Sequence, residues 1–183
     1  MHRSGANWIE KKVKVFSGVQ LNSLVTRAVA STRLRQHQNI HASFDEPCQR
    51  LFNAIEPSSY IRPHRHASFP RDEMLIAVRG LMILVTFDDS GQVLESVPFG
   101  SEKYGADIAV GVEVSPETWH TVLALESGSV LLEIKAGPFD PEQPKDLAPW
   151  APPEGTQEVA QFLRSLLNCV GPTRSVMTST QTK

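Results

Sequence analysis

The stretch Tyr60-Ile61-Arg62-Pro63-His64-Arg65-His66 carries two imidazoles spaced two residues apart. Alternate residues of a β-strand project from one face, so His64 and His66 can share one ion. Glu73 opens the next apolar run with Leu75 and Ala77 on its parity, and His120 opens a later one with Val122 and Ala124. A barrel can bring such strand ends together. Three neutral imidazoles and a carboxylate suit Fe(II), Mn(II), Ni(II), Co(II), Cu(II) or Zn(II), and residue types alone do not choose among them. A lone histidine is ordinarily a surface or hydrogen-bonded group. Four such groups at strand ends would be costly to bury unpaired, so the expected metal ligands are His64, His66, Glu73 and His120.

Around that set the sequence offers further chemistry. Tyr60 and Arg62 share the parity of the two histidines, which makes Tyr60, with Glu73, a candidate to assist proton movement. Arg62, Arg50, Trp119 and Lys135 are the candidate substrate-binding residues, and Glu133 shares parity with Lys135. If two of the bases point inward, the pocket suits a carboxylate, a keto acid or a sugar phosphate. Against this, most strand arginines and lysines, Arg65 among them, face solvent, and large aromatics such as Trp119 and Trp150 more often anchor packing than stack on ligands. Arg35, Asn39 and His41 form a polar cluster that either caps a site or lies in an exposed linker. No G-x-S-x-G elbow, phosphate-binding glycine loop or Cys/His nucleophile pair is present, which disfavours hydrolase, kinase and thiol-protease chemistry.

The elements that must position these groups follow from periodicity. Leu21, Leu24, Val25 and Ala28 make one apolar stripe, predicting a short helix over Val19 to Ser31. Residues 33–47 lose periodicity and read as a loop over the barrel. Between Gln49 and Ala136 short β-type runs start roughly 10 residues apart, separated by turn-forming pieces, as in an antiparallel barrel or sandwich. Prolines crowd Gly137 to Gly155, predicting an ordered surface arm with Trp150 as its anchor. Val159, Phe162, Leu163 and Leu166 predict a helix over Thr156 to Asn168, and the Ser/Thr-rich tail after Pro172 reads as disordered. The organisation is an arm and helix over 1–48, a barrel over 49–136, a proline-rich arm and helix over 137–171, and a tail over 172–183.

With 183 residues the chain fits one domain that needs no staple to fold. A charge of -2 and 21% charged residues advertise neither a nucleic-acid nor a membrane partner. No apolar stretch has the length of a signal-peptide core or a membrane span, so a cytoplasmic protein is expected. Cys48 and Cys169 form no metal or redox spacing and read as reduced thiols. The run KKVKVFSG before Val19 is a candidate homodimer contact.

His64-x-His66, Glu73 and Gly80 resemble the first motif of the cupins, and Trp119-His120 lies where the second motif has its histidine. Six residues (ASFPRD) separate His66 from Glu73 where that motif usually has three or four, and Ser115 and Glu117 stand where Pro and Gly are common. The phrases RLRQHQNIH, QRLFNAIEPSSYIRPHRH, SPETWHTVLALESGSVLLEIKAGPFDP and KDLAPWAPPEG more closely resemble cupin fold metalloproteins of the WbuC type, over about Ser31 to Gly155. The resemblance implies an all-β double-stranded β-helix (jelly-roll) barrel, one bound metal ion, bacterial origin and, for some relatives, genes beside those for O-antigen synthesis. It implies no known reaction.

Three functions fit these observations. The first is a metal-dependent enzyme, an isomerase, epimerase or dioxygenase, on a small polar, anionic or sugar-derived molecule with Fe, Mn, Zn or Ni. The second is a non-catalytic cupin whose metal helps to hold a sugar or acid. The third is a barrel whose metal serves stability alone.

Overall fold

The computed structural model describes residues 13–68, 70–142 and 145–170. Helix α1 spans Gly18–Ala30, one residue ahead of the predicted range. Ser17 starts it, because its hydroxyl accepts from the Gln20 amide while the Gln20 side chain accepts from the Ser17 amide. Leu24 and Ala28 of the predicted stripe are buried against Phe52, Ala54 and Val130, with Leu21 and Val25 packed beside them.

Ten strands follow: β1 (Arg35–Asn39), β2 (Cys48–Ile55), β3 (His64–Arg65), β4 (Glu73–Arg79), β5 (Leu81–Phe87), β6 (Val93–Gly100), β7 (Gly111–Val114), β8 (Trp119–Ala124), β9 (Ser129–Ala136) and β10 (Asp146–Leu147). They form two five-stranded sheets, ordered β1-β2-β9-β4-β7 and β10-β3-β8-β5-β6, with antiparallel pairing throughout. One core cluster, including Leu75, Leu84, Phe99, Val122 and Leu131, draws residues from both sheets, so the sheets face each other across one interior. This is a double-sheet jelly roll.

Two local expectations change. The polar segment 33–47 contains β1, which pairs with β2 from Arg35 opposite Ile55 to Asn39 opposite Leu51. It is an edge strand with no fully buried residue, so its sequence lacks the apolar alternation that announces half-buried strands. The run SYIRPHRH, expected as a strand, contributes only His64 and Arg65. Pro63 has no amide to donate to a ladder, and pairing starts after it.

The proline-rich arm packs on the outer side of the second sheet. Trp150 lies against Phe87, Trp119 and Phe162, in a cluster that includes Leu166 of α2 (Glu158–Val170). β10 within that arm occupies a sheet edge, where prolines nearby cost no ladder bonds. The predicted disordered tail after Pro172 and the first two residues of the KKVKVFSG run lie outside the described residues. Cys48 and Cys169 are free and exposed. Among the described residues no helix is long and apolar enough to cross a membrane.

Gly80 joins β4 to β5 at φ +81°, and a Cβ there would lie 2.2 Å from Ser129 Oγ and 2.7 Å from Ser129 Cα. Gly155 has φ +85° with nothing within 4 Å of the same position. Gly155→Ala should therefore cost only the left-handed backbone term, about 1–2 kcal/mol, whereas Gly80→Ala adds a clash with backbone and should cost clearly more. Urea denaturation of the two variants checks this, and equal losses would contradict the packing described.

Candidate metal centre

His64, His66, Glu73 and His120 reach one point from three strands and the residue after β3. In the ladders His64 stands opposite His120, and Glu73 stands between Val114 and Lys135. The alternation of β4 turns Glu73, Leu75 and Ala77 inward, as the sequence predicts. The long ASFPRD connection is held at both ends. Asp146 accepts from the amides of Ala67 and Ser68 at 3.0 Å, and the buried Arg71 donates to the carbonyls of Ala136 and Pro138. The extra residues are thus tied to the arm, and Glu73 enters β4 in register.

One potential ligand atom from each of the four residues lies within 4.8 Å of all the others, and all four side chains are buried. Atoms on opposite sides of an ion at ~2.1 Å lie about 4.2 Å apart, so a small inward adjustment closes the set. The hydrogen bonds of the rings favour this use. His64 Nδ1 faces the Arg62 carbonyl at 3.0 Å and His120 Nδ1 faces the Thr118 carbonyl at 2.8 Å. A carbonyl only accepts, so each Nδ1 carries the proton and each Nε2 presents its lone pair to the site. His120 Nε2 also lies 3.1 Å from Glu73 Oε2, and His66 Nε2 lies 3.6 Å from the same oxygen with no hydrogen-bond partner of its own. Lone pairs and a carboxylate oxygen converging at 2–6% exposure require a positive charge among them. The residues therefore fit a metal ion.

Electrostatics follow the same pattern. Burial, reinforced by Lys145 and His120, holds His64 well below the ordinary histidine range, so its ring is neutral. Burial works to raise the Glu73 carboxyl, but the close approach of the His120 and His66 rings and the charge of Lys135 outweigh it and hold the group well below the ordinary carboxylate range. Lys135 Nζ bridges Glu73 Oε1 at 3.3 Å and Glu133 Oε1 at 2.5 Å. Burial and the Glu73 charge push Glu133 up to about 7.

A cavity of about 240 Å³ opens over the cluster, lined by all four residues. Of the substrate-binding candidates, only Lys135 lines it. Arg62 donates to the Ala148 carbonyl, because Pro63 ends the alternation that would have turned it inward, and Ile61 takes the wall position instead. Arg50 pairs with Glu46 and shares the outer parity of Phe52 and Ala54, which face α1 rather than the cavity. Trp119 donates to Asp89 at 2.9 Å and lies under the Arg65 guanidinium, while Tyr60 donates to the Pro152 carbonyl and packs on Phe162. These four are tethers rather than cavity groups. Sequence reasoning missed His37, Asn53, Phe139 and Lys145 in the lining, and left Arg35 between a cap over a site and an exposed linker. The i, i+2 spacing of Arg35 and His37 was the available signal, hidden because β1 was not recognised.

Comparison with known proteins adds the following. A family model described as a domain of unknown function, DUF6016, matches residues 16–99, which include His64, His66 and Glu73 but not His120. No curated protein matches the sequence. Among solved structures, the chain is similar to protein SO0799 from Shewanella oneidensis, at 12% identity and TM-score 0.49 over 76% of this chain and 84% of that one. It is also similar to KdgF from Halomonas sp., at 14% identity and TM-score 0.43 over 56% and 80%. Bacillus subtilis oxalate decarboxylase, whose Mn(II) centres have been characterised, aligns at 14% identity and TM-score 0.45 over 62% of this chain and 27% of that one. The sheet order and strand register of this chain itself define its fold.

Glu154 accepts bidentate bonds from both Arg33 and Arg35 at the cavity rim. The Arg33 hydrogen bond, against some burial, and the charge of Arg35 hold its carboxyl below the ordinary 4.5. A carboxyl depressed in the folded state stabilises above its unfolded pKa and loses that contribution as the pH falls through the folded value. The stability of wild type should exceed that of Glu154→Gln at neutral pH, and the gap should close as the pH falls below 4.5. Paired thermal melts from pH 7 to 3 check the sign. Because Glu154 is about a third exposed, the gap should be modest.

Proposed function

We propose that this barrel binds one divalent transition-metal ion, Fe, Mn, Zn or Ni, on His64, His66, Glu73 and His120, and acts as a metal-dependent enzyme on a small polar, anionic or sugar-derived molecule. The observation that carries the proposal is the convergence of Nε2 lone pairs and the Glu73 carboxylate at one buried point, with the Nδ1 protons of His64 and His120 committed to backbone carbonyls. A bound ion would supply Lewis acidity towards a carbonyl or hydroxyl of the ligand. Lys135 holds the second oxygen of Glu73 and so fixes the carboxylate's orientation. Glu133, hydrogen-bonded to the same ammonium and poised near neutrality, takes the proton-carrying role that Tyr60 was a candidate for. Isomerisation, epimerisation and oxygen-dependent cleavage all suit such a site, and the metal's identity separates the last from the first two.

The resemblance to the WbuC type supports a bacterial, polysaccharide-related substrate. A cavity of about 240 Å³ has room for one small molecule or for one end of a larger one. The alternative is a cupin that holds a sugar or acid without converting it.

Elemental analysis of protein purified without added metal, beside a His64→Ala, His66→Ala variant, is the test. Near-stoichiometric metal in wild type and its loss in the variant are expected. Absence of metal from both would overturn the proposal. Removing the ion with a chelator should also lower the melting temperature, since four buried groups then lose their shared partner. An unchanged melting temperature after complete metal removal would argue against a buried site.

A further inference from the structure

Lys145 is a lining residue that the proposed chemistry does not use. It immediately precedes β10, and the β3–β10 ladder sets Asp146 against Arg65 and Leu147 against His64. One residue earlier, Lys145 falls level with His66, at the wall of the metal-site cavity that it lines. Among the described residues its ammonium makes no ion pair and no hydrogen bond. Every other cation of the lining is already engaged. Arg33 and Arg35 grip Glu154, Arg35 also donates to the Tyr60 carbonyl, and Lys135 bridges Glu73 and Glu133.

The balance of charge favours a negative guest. The lining holds four cations, Arg33, Arg35, Lys135 and Lys145, against Glu73, Glu133 and the rim carboxylate of Glu154. A divalent ion would add two further positive charges. The field is felt within the wall itself. Burial and the charges of Arg33, Lys135 and Arg35 depress the His37 imidazole.

Size and donor count narrow the guest. About 240 Å³ corresponds to roughly eight waters at ~30 Å³ each, or a molecule of about ten heavy atoms. A dianionic phosphate prefers several convergent donors or an open guanidinium fork, and the arginine forks here are spent on Glu154. One unpaired ammonium matches a single carboxylate. Ile61, Leu75, Val122 and Leu131 line the same cavity and would cover a short aliphatic body.

We propose that Lys145 forms the anion subsite of this cavity and that the ligand is a small carboxylic acid, its carboxylate on the Lys145 ammonium and its other polar end towards the metal centre. The proposal rests on the metal-site reading only for that second end.

Calorimetric titration of the full-length, metal-analysed protein with acetate, malonate and succinate tests it, with inorganic phosphate and neutral succinamide as comparisons. At least one of the three acids should bind. Lys145→Met should weaken that binding tenfold or more, the loss expected of one charge-assisted hydrogen bond, while Lys103→Met, an exposed lysine outside the cavity, should not. The proposal fails if phosphate or succinamide binds more tightly than every acid, if none of the acids binds, or if Lys145→Met binds as wild type does. The same titration on chelator-treated protein separates the two readings. Loss of metal with retained, Lys145-dependent carboxylate binding supports the subsite, and full metal occupancy without acid binding overturns it.

Discussion

Placing three imidazoles and a carboxylate where a barrel would otherwise pack aliphatic side chains is the constraint around which this protein is organised. Such groups are tolerated in an interior only when their lone pairs meet a partner. Here much of the surrounding structure serves that end. The Arg62 and Thr118 carbonyls take the outer protons of two rings, Lys135 occupies the second oxygen of Glu73, and Leu75, Val122 and Leu131 exclude solvent beside them. The apolar core shared by the two sheets continues directly from these residues, so site and core are one packing problem.

The four-residue cluster was legible in the sequence because its members sit at strand ends, where a polar residue interrupts an alternating pattern at a definite parity. Glu73 is instructive. Its distance from His66 exceeds the spacing of the motif it resembles, yet the inward phase of EMLIAVRG fixes its direction whatever the preceding loop length. The loop is accommodated by contacts made far along the chain, through Asp146 and through Arg71. No local pattern encodes those.

The cavity lining was much less legible. Arg62 was favoured by parity counted back from His64, but parity has meaning only within a ladder, and Pro63 lies between them. β1 supplied Arg35 and His37 without the apolar alternation that announces a strand, since as an edge strand it buries little. Lys145 is brought in by two residues of β10 in a segment whose prolines mark it as irregular. In each case position depends on pairing between distant segments, and single-residue chemistry is silent about that.

The salt bridges between Arg33, Arg35 and Glu154 join residues about 120 positions apart. A chain emerging from the ribosome exposes His64, His66 and Glu73 first, and the strand with His120 and the segments with Lys145 and Glu154 follow only well after them. The nascent polypeptide can offer an ion no more than a partial, loosely arranged grip. Selection among metals by the proposed site would therefore fall to the completed cage, in which ring orientation and access are already set, rather than to whichever ion reaches the first histidines.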